Sequence, residues 1–112
     1  MKAYDILEQA ARLATGAPPD PLISKAGVGL VNTVLSDLGH EAIELLSDEV
    51  CFSHLGGTTV TISGVAMLIC ILLGDDVGVS AMNELYQSSR SRLLKHTSKI
   101  KNTAFGGIYD ED

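Results

Sequence analysis

The longest uninterrupted apolar run of this chain is Val65-Ala66-Met67-Leu68-Ile69-Cys70-Ile71-Leu72-Leu73. Because no polar residue interrupts it, a helix formed here would be apolar on every side, which is typical of a central helix surrounded by others. Gly74 follows directly, and glycine readily ends a helix. We expect this helix to begin between Thr59 and Ser63, with a short strand over Thr58–Ile62 as the alternative.

The same region raises the question of a membrane span, because residues 55–74 contain no charged side chain. A bilayer requires about 20 consecutive apolar residues, and the first half of this region is instead rich in glycine, serine and threonine. The strongly apolar part is only about half of the required length. We therefore predict a buried core helix and no membrane association, and keep a small membrane-active protein as a minor alternative.

Composition indicates one small domain with an aliphatic core. The chain has 112 residues, of which 46% are hydrophobic, a length that suits a single domain and not two. It contains 2 Phe, 3 Tyr and no Trp, so the core must consist mainly of aliphatic side chains. Such residues suit helix packing better than a sheet, which favours aromatic and β-branched side chains.

Two further helices are predicted before the apolar run. Apolar residues spaced three and four apart indicate a first helix over residues 3–14, which ends before Gly16. Asp20-Pro21 predicts the start of a second helix, because Asp is a good N-cap and proline is tolerated at the first helical position. The apolar stripe of this second helix continues to Leu38, and Gly39 is its expected C-terminal cap.

Two features in this part of the chain are less regular. Gly27 and Gly29 either weaken the second helix locally or allow another helix to approach it closely. His40–Leu46 is expected to add a helical turn or two. Ser47–Thr58 is predicted to be an extended linker in which Gly56-Gly57 acts as a flexible joint.

A fourth helix is predicted after a turn at Asp75–Gly78, with Ser80 as its N-cap. One face of this helix carries Met82, Leu85, Tyr86, Ser89, Leu93 and Ile100. The predicted fold class is therefore all-α, a small bundle of about four helices with an irregular linker before a buried central helix. Residues 1–101 would form the domain and residues 102–112 a C-terminal tail.

Charge is distributed unevenly along the chain. The formal net charge is −6, yet residues 90–101 carry five basic and no acidic side chains. An acidic protein is a poor general binder of nucleic acid, because cations are needed to displace phosphate counterions. The basic stretch is either a solvated helix face or a surface for an acidic protein partner. The candidate interface residues are Arg90, Arg92, Lys95, Lys99, Lys101, Phe105, Tyr109, Asp110, Glu111 and Asp112.

No combination of residues predicts catalysis, a metal site or a cofactor. His40 and Glu44 have the spacing of a zinc-protease helix, but the second His of that motif is missing. Asp75-Asp76 lacks the further oxygen ligands of a calcium loop and is typical of a turn. Cys51 and His54 have no evident third group to orient them for nucleophilic chemistry. We therefore predict that the protein is not an enzyme.

Three short motifs occur in order in the C-terminal half: Ser63-Gly64-Val65-Ala66-Met67-Leu68-Ile69, then Gly74-Asp75, then Asn83-Glu84-Leu85-Tyr86. Together they resemble the head–tail connector (adaptor) proteins of tailed phages. In that family an apolar helix that begins with Tyr-Gly-Val-Ala or similar is followed by Gly-Asp, and then by a helix with Leu-Tyr-Asn before a basic run. Here Ser63 stands where an aromatic residue is common, and Gln87 where Asn is common.

This resemblance implies a non-catalytic, helical virion protein that assembles in the host cytoplasm. Its subunits would form a ring, commonly of twelve, between the portal protein and a tail-side completion protein, and DNA would pass through the channel without specific binding. From charge alone, we expect the basic helix end and the acidic tail to meet across neighbouring subunits. Two alternatives are a neighbouring neck protein of similar build and a small cytoplasmic interaction or regulatory module that binds through the basic helix 90–101.

Overall fold

Four helices account for most of the computed structural model, which describes residues 1–52, 54 and 56–104 and side chains as far as Lys95. They are α1 (Ala3–Thr15), α2 (Pro21–Asp37), α3 (Gly56–Leu72) and α4 (Asp76–Ala104). Over these residues the chain has no strand, only an isolated antiparallel bridge between Lys2 and Glu49. The predicted all-α fold class is confirmed.

Helix α3 is the centre of the bundle, because it packs against each of the other three helices. Its fully buried aliphatic side chains include Val60, Val65 and Ile69, which pack with Ile6 of α1 and Leu35 of α2 in one core. In the described part of the chain, no helix combines the length and the hydropathy that crossing a bilayer requires.

The start of α3 differs from the prediction. The helix begins at Gly56 and includes Thr58–Ile62, so the strand alternative is wrong. The predicted flexible joint is also wrong, because Gly56 and Gly57 form the first helical turn. A Cβ on Gly57 would overlap the ring of Phe52. This glycine therefore allows the linker to pack directly on the helix, which sequence spacing alone does not reveal.

Helix α2 has the predicted boundaries. The Asp20 side chain accepts a hydrogen bond from the Ile23 amide at 2.8 Å, Pro21 is the first helical residue, and Gly39 has a φ of +74° just beyond the C-terminus. Gly27 allows the expected close approach, since a Cβ there would lie 2.7 Å from Cδ2 of Leu7. Gly29 differs, because a Cβ there would meet nothing within 4 Å.

Residues 40–46 form no helical turn, contrary to the prediction. Side chains hold this part of the linker instead. The Asn32 amide accepts from the Ile43 N–H at 2.8 Å and donates to the Ile43 carbonyl oxygen at 2.9 Å. The Asp48 carboxylate accepts from the amides of Glu44 and Leu45 at 2.9 and 3.0 Å, which lowers the pKa of Asp48. These interactions replace the backbone hydrogen bonds that a helix would have made.

Helix α4 begins earlier than predicted, with Asp75 and not Ser80 as its N-cap. The Asp75 carboxylate accepts from the Gly78 amide at 3.0 Å. Both residue types are good N-caps, and tertiary packing selects the earlier one. A Cβ on Gly78 would lie 2.8 Å from Sγ of Cys70, so the first turn of α4 packs directly on the end of α3.

The face of α4 that contacts α3 is close to the predicted one. Tyr86 and Ser89 are buried, and Met82 and Leu93 are partly buried, but Leu85 is exposed. The helix continues to Ala104, and residues 105–112 lie outside the described part of the chain.

The C-terminal end of α3 is not surrounded as predicted. Val65, Ala66, Ile69 and Cys70 are buried, whereas the last three apolar residues, Ile71–Leu73, are exposed. One end of the central helix therefore presents aliphatic side chains to solvent.

Candidate functional site

The first residue of the basic stretch is used within the fold. Arg90 Nε donates to Oδ2 of Asp37 at 2.7 Å, and the Tyr86 hydroxyl donates to the same oxygen at 2.5 Å. The hydrogen bond from Tyr86, followed by that from Arg90, lowers the pKa of Asp37. Burial, together with the hydrogen bond to Asp37, raises the pKa of Tyr86. This cluster attaches α4 to the C-terminal end of α2, across 53 residues of sequence.

The other predicted interface residues divide into three groups. Arg92 and Lys95 are exposed, and neither forms an ion pair with any residue that the structure describes. Lys99 and Lys101 lie on α4, but beyond the described side chains. Phe105, Tyr109, Asp110, Glu111 and Asp112 lie outside the described residues. Of the ten candidate interface residues, Arg92 and Lys95 are therefore the two described cations that remain available to a partner.

Arg92 lies at the edge of a cleft of about 400 Å³ between the N-terminal end of α3 and the middle of α4. Its lining residues are His54, Gly56, Thr59, Val60, Ser89, Arg92 and Leu93, and together they define the α3–α4 cleft. His54 caps α3 beside it, because its Nδ1 accepts from the Gly56 amide and its carbonyl oxygen accepts from the Gly57 amide, both at 3.0 Å. The cleft thus combines a cation, hydroxyl groups and the positive end of a helix dipole.

Ser89 is the unusual residue of this cleft. Only 8% of the residue is exposed, and no described residue bonds to its hydroxyl. In the described chain no fully buried side-chain oxygen or nitrogen lacks a partner, so this hydroxyl is still in contact with solvent through the cleft. The other buried hydroxyls are bonded: Thr61 donates to the Gly57 carbonyl oxygen and Ser63 to that of Val60, both at 2.8 Å. Ser89 lies in the predicted apolar stripe of α4. A polar residue within an apolar stripe is the sequence feature by which this position could have been identified.

A second surface lies between α2 and α3. Two adjoining depressions of about 550 and 400 Å³ share Thr33 and Leu68 and form one apolar groove, the α2–α3 groove. The larger is also lined by Lys25, Ala26, Gly29, Leu30, Ile71 and Leu72, and the smaller by Val34, Ser36, Asp37, Met67 and Tyr86. Ile71 and Leu72 are exposed along it, so the groove offers aliphatic surface that a partner could cover. Sequence reasoning missed this groove, because the apolar run does not show that the neighbouring helices leave the C-terminal end of α3 uncovered.

The residues considered for catalysis have structural contacts. The ring nitrogens of His40 lie 2.8 and 2.7 Å from the carbonyl oxygens of Glu41 and Cys51, so both are occupied by the linker. Asp75 caps α4. In the described residues, no three His, Cys, Asp or Glu side chains lie close enough together to hold a metal ion.

The two surfaces lie at opposite ends of α3. The α3–α4 cleft uses Gly56–Val60, and the wider part of the α2–α3 groove uses Leu68–Leu72. Along a helix the outermost of these residues are about 24 Å apart. One surface is basic and partly polar, and the other is apolar. Comparison with protein-family models, with curated proteins and with solved structures found no match for this chain.

Proposed function

We propose that this chain is a structural subunit of a tailed-phage head–tail connector and assembles into a ring between the portal and the tail. The observation that carries the proposal is the pair of unlike surfaces at the two ends of α3. A ring of identical subunits needs a heterologous contact, in which one surface of a subunit meets a different surface of the next. Unlike surfaces favour that arrangement over a two-fold dimer, which uses the same patch twice.

The α2–α3 groove supports a contact with another helix. Ile71 and Leu72 are exposed within it, and burying apolar surface yields about 25 cal/mol per Å². Gly29 leaves its floor open, because no atom lies within 4 Å of the position that a Cβ would occupy. A glycine without a close neighbour in its own chain leaves room for a helix from outside.

The charge pattern supports a channel subunit that does not retain DNA. Residues 1–89 carry three basic and eleven acidic side chains. A wall with this excess of carboxylates would not bind phosphates, so DNA could pass without sticking. The acidic C-terminal residues Asp110–Asp112 and the basic residues of α4 have opposite charges and could meet between neighbouring subunits.

Assembly on the portal tests the proposal directly. The purified chain, mixed with a portal protein from the same genome, should give a ring-sized increase in particle mass and a ring in electron micrographs. Arg92→Glu and Lys95→Glu should each weaken assembly several-fold. Arg12→Glu is the matched control, because Arg12 is an exposed cation on α1 that pairs with Glu8, and such surface pairs contribute little to stability.

A second pair of variants tests the apolar contact. Leu72→Gln should reduce assembly, whereas Leu13→Gln should not, although both leucines have similar exposure, 40% and 46%. Assembly that is unchanged in Arg92→Glu, Lys95→Glu and Leu72→Gln would overturn the proposal.

The second candidate function is a small helical module that binds an acidic protein through α4. The exposed and unpaired state of Arg92 and Lys95 among the described residues favours it. In that case the chain would remain monomeric beside the portal, and Arg92→Glu would abolish binding to another protein while Leu72→Gln would have no effect.

A further inference from the structure

Ser89 lines the α3–α4 cleft, and its hydroxyl is open to solvent there and has no hydrogen-bond partner in the described chain. A serine in a helix usually satisfies its hydroxyl by donating to a backbone carbonyl one turn earlier, as Thr15 and Thr33 do here at 2.8 Å. The cleft therefore contains a donor that is still available to a ligand.

The surroundings of this hydroxyl favour an anion. Arg92 lies one turn further along α4 and supplies a guanidinium group, which donates in a planar fork that matches a carboxylate. The N-terminal, positive end of the α3 dipole forms the other wall, and Thr59 adds a hydroxyl to the lining. The first two amides of α3 are already bonded to His54, so α3 contributes its field and not these donors.

The rest of the lining favours a peptide over nucleic acid. Val60 and Leu93 give the cleft an aliphatic wall, which suits a carboxylate that is carried next to an apolar side chain. Arg92 is the one formal cation of the lining, whereas binding to a nucleic-acid backbone depends on several cations that displace counterions. The strongly acidic composition of the chain adds a repulsion that a row of phosphates would meet.

We propose that the α3–α4 cleft binds the carboxylates of an acidic peptide segment, and that this segment is Ile108–Asp112 of a second copy. The segment has the matching order, with Ile108 and Tyr109 followed by three acidic residues. This inference rests on the proposed function, because a copy-to-copy contact of basic and acidic groups is what a ring subunit would use.

A peptide titration tests the cleft. The receptor is the full chain carrying Asp110→Asn, Glu111→Gln and Asp112→Asn, so that its own tail does not compete. The probe is a synthetic peptide of residues 105–112 with an amidated C-terminus, and its matched control carries the same three neutral substitutions. We expect the acidic peptide to shift the amide resonances of Gly56 and Ser89 in a saturable way, and the neutral peptide to bind at least about tenfold more weakly.

Variants locate the binding. Arg92→Gln should weaken the acidic peptide about tenfold or more, and Ser89→Ala about fivefold, as expected for a charged and a neutral hydrogen bond. Lys95→Gln removes the same charge from α4 outside the cleft and should change the affinity by less than about twofold at physiological salt. Unchanged thermal unfolding of each variant would establish that the fold is retained.

Several results would overturn the inference. Equal binding of the two peptides would exclude a carboxylate ligand, and equal effects of Arg92→Gln and Lys95→Gln would indicate diffuse attraction without a site. Duplex DNA that displaces the peptide and depends on Arg92 would assign the cleft to nucleic acid. A chain that assembles on the portal without binding the peptide would overturn only the proposed role of the cleft. A chain that binds the peptide without assembling would overturn only the proposed ring.

Discussion

Ile69 and Ile71 lie two residues apart on α3, in the same apolar run, and have opposite environments. Ile69 is completely buried, whereas Ile71 is 54% exposed. Ile69 belongs to the core that α3 forms with α1, α2 and α4, whereas Ile71 lines the open α2–α3 groove. The comparison teaches that an apolar run predicts a helix, whereas the burial of each residue depends on which other helices pack against that part of it. The exposed end is where a partner can gain free energy by covering the helix.

The largest difference in stability should be found between the alanine variants of these two isoleucines. Ile69→Ala should lower the free energy of unfolding by about 2–5 kcal/mol, because it removes buried methyl groups and leaves a cavity. Ile71→Ala should lower it by less than about 1 kcal/mol, since more than half of that residue is already exposed. Urea unfolding of both variants measures the difference. Similar losses would mean that the end of α3 is buried in the isolated chain.

The next largest effect concerns two glycines, one in a packed contact and one on the open groove. A Cβ on Gly64 would lie 2.7 Å from Cε1 of Tyr86 and 2.9 Å from Cγ1 of Val34, so Gly64→Ala should cost about 1–3 kcal/mol. Gly29→Ala should instead stabilise the monomer by about 0.5–1 kcal/mol, because alanine favours a helix and has room there. Thermal unfolding should show shifts of opposite sign. A loss in both variants would contradict the open groove.

The contact that holds α4 over the buried half of α3 gives a smaller effect with a pH signature. Tyr86→Phe should cost about 1 kcal/mol at neutral pH by removing the hydrogen bond to Asp37. The pKa of Asp37 is lowered, so its contribution is present above about pH 4 and is lost as the pH falls. The pKa of Tyr86 is raised, so its contribution is present below about pH 10 and is lost above that.

Urea titrations at acidic, neutral and strongly alkaline pH measure these losses. Tyr4→Phe is the control, because Tyr4 is exposed. The alkaline loss of stability should shrink in Tyr86→Phe and persist in Tyr4→Phe, and the reverse would contradict the assignment.

The smallest effect concerns the turn that follows the exposed end of α3. Asp75→Ala should cost about 0.5–1 kcal/mol by removing the N-cap of α4. Ser80→Ala should be neutral or slightly stabilising, because Ser80 is an exposed residue within the helix. Helix content and unfolding midpoints compare the two variants, and a larger loss in Ser80→Ala would restore the later helix start.

The features that could be predicted from the sequence are those governed by neighbours in the chain. Asp20, Pro21 and Gly39 define α2 through local backbone preferences, and the structure confirms each of them. The starts of α3 and α4 could not be predicted, because they depend on contacts of Phe52 with Gly57 and of Gly78 with Cys70.

The candidate site was only partly predictable for the same reason. The basic stretch is evident from composition, but the pairing of Arg90 with Asp37 joins residues 53 positions apart and has no local signal. The α2–α3 groove depends on how the helices are placed relative to one another, which the sequence does not show directly. Ser89 could be noticed as a polar residue in an apolar stripe, but its lack of a bond is visible only in three dimensions.

The Asn32 side chain has a consequence for how the linker moves. Its two hydrogen bonds to Ile43 imitate a strand pair, so the Ile43 amide is held by a residue of α2. A segment without regular secondary structure normally exchanges its amide protons with solvent quickly. Here the Ile43 proton becomes accessible only when the linker separates from Asn32, so it should exchange more slowly than the other amides of the linker. Hydrogen exchange at this one amide would then measure how often the linker separates from α2.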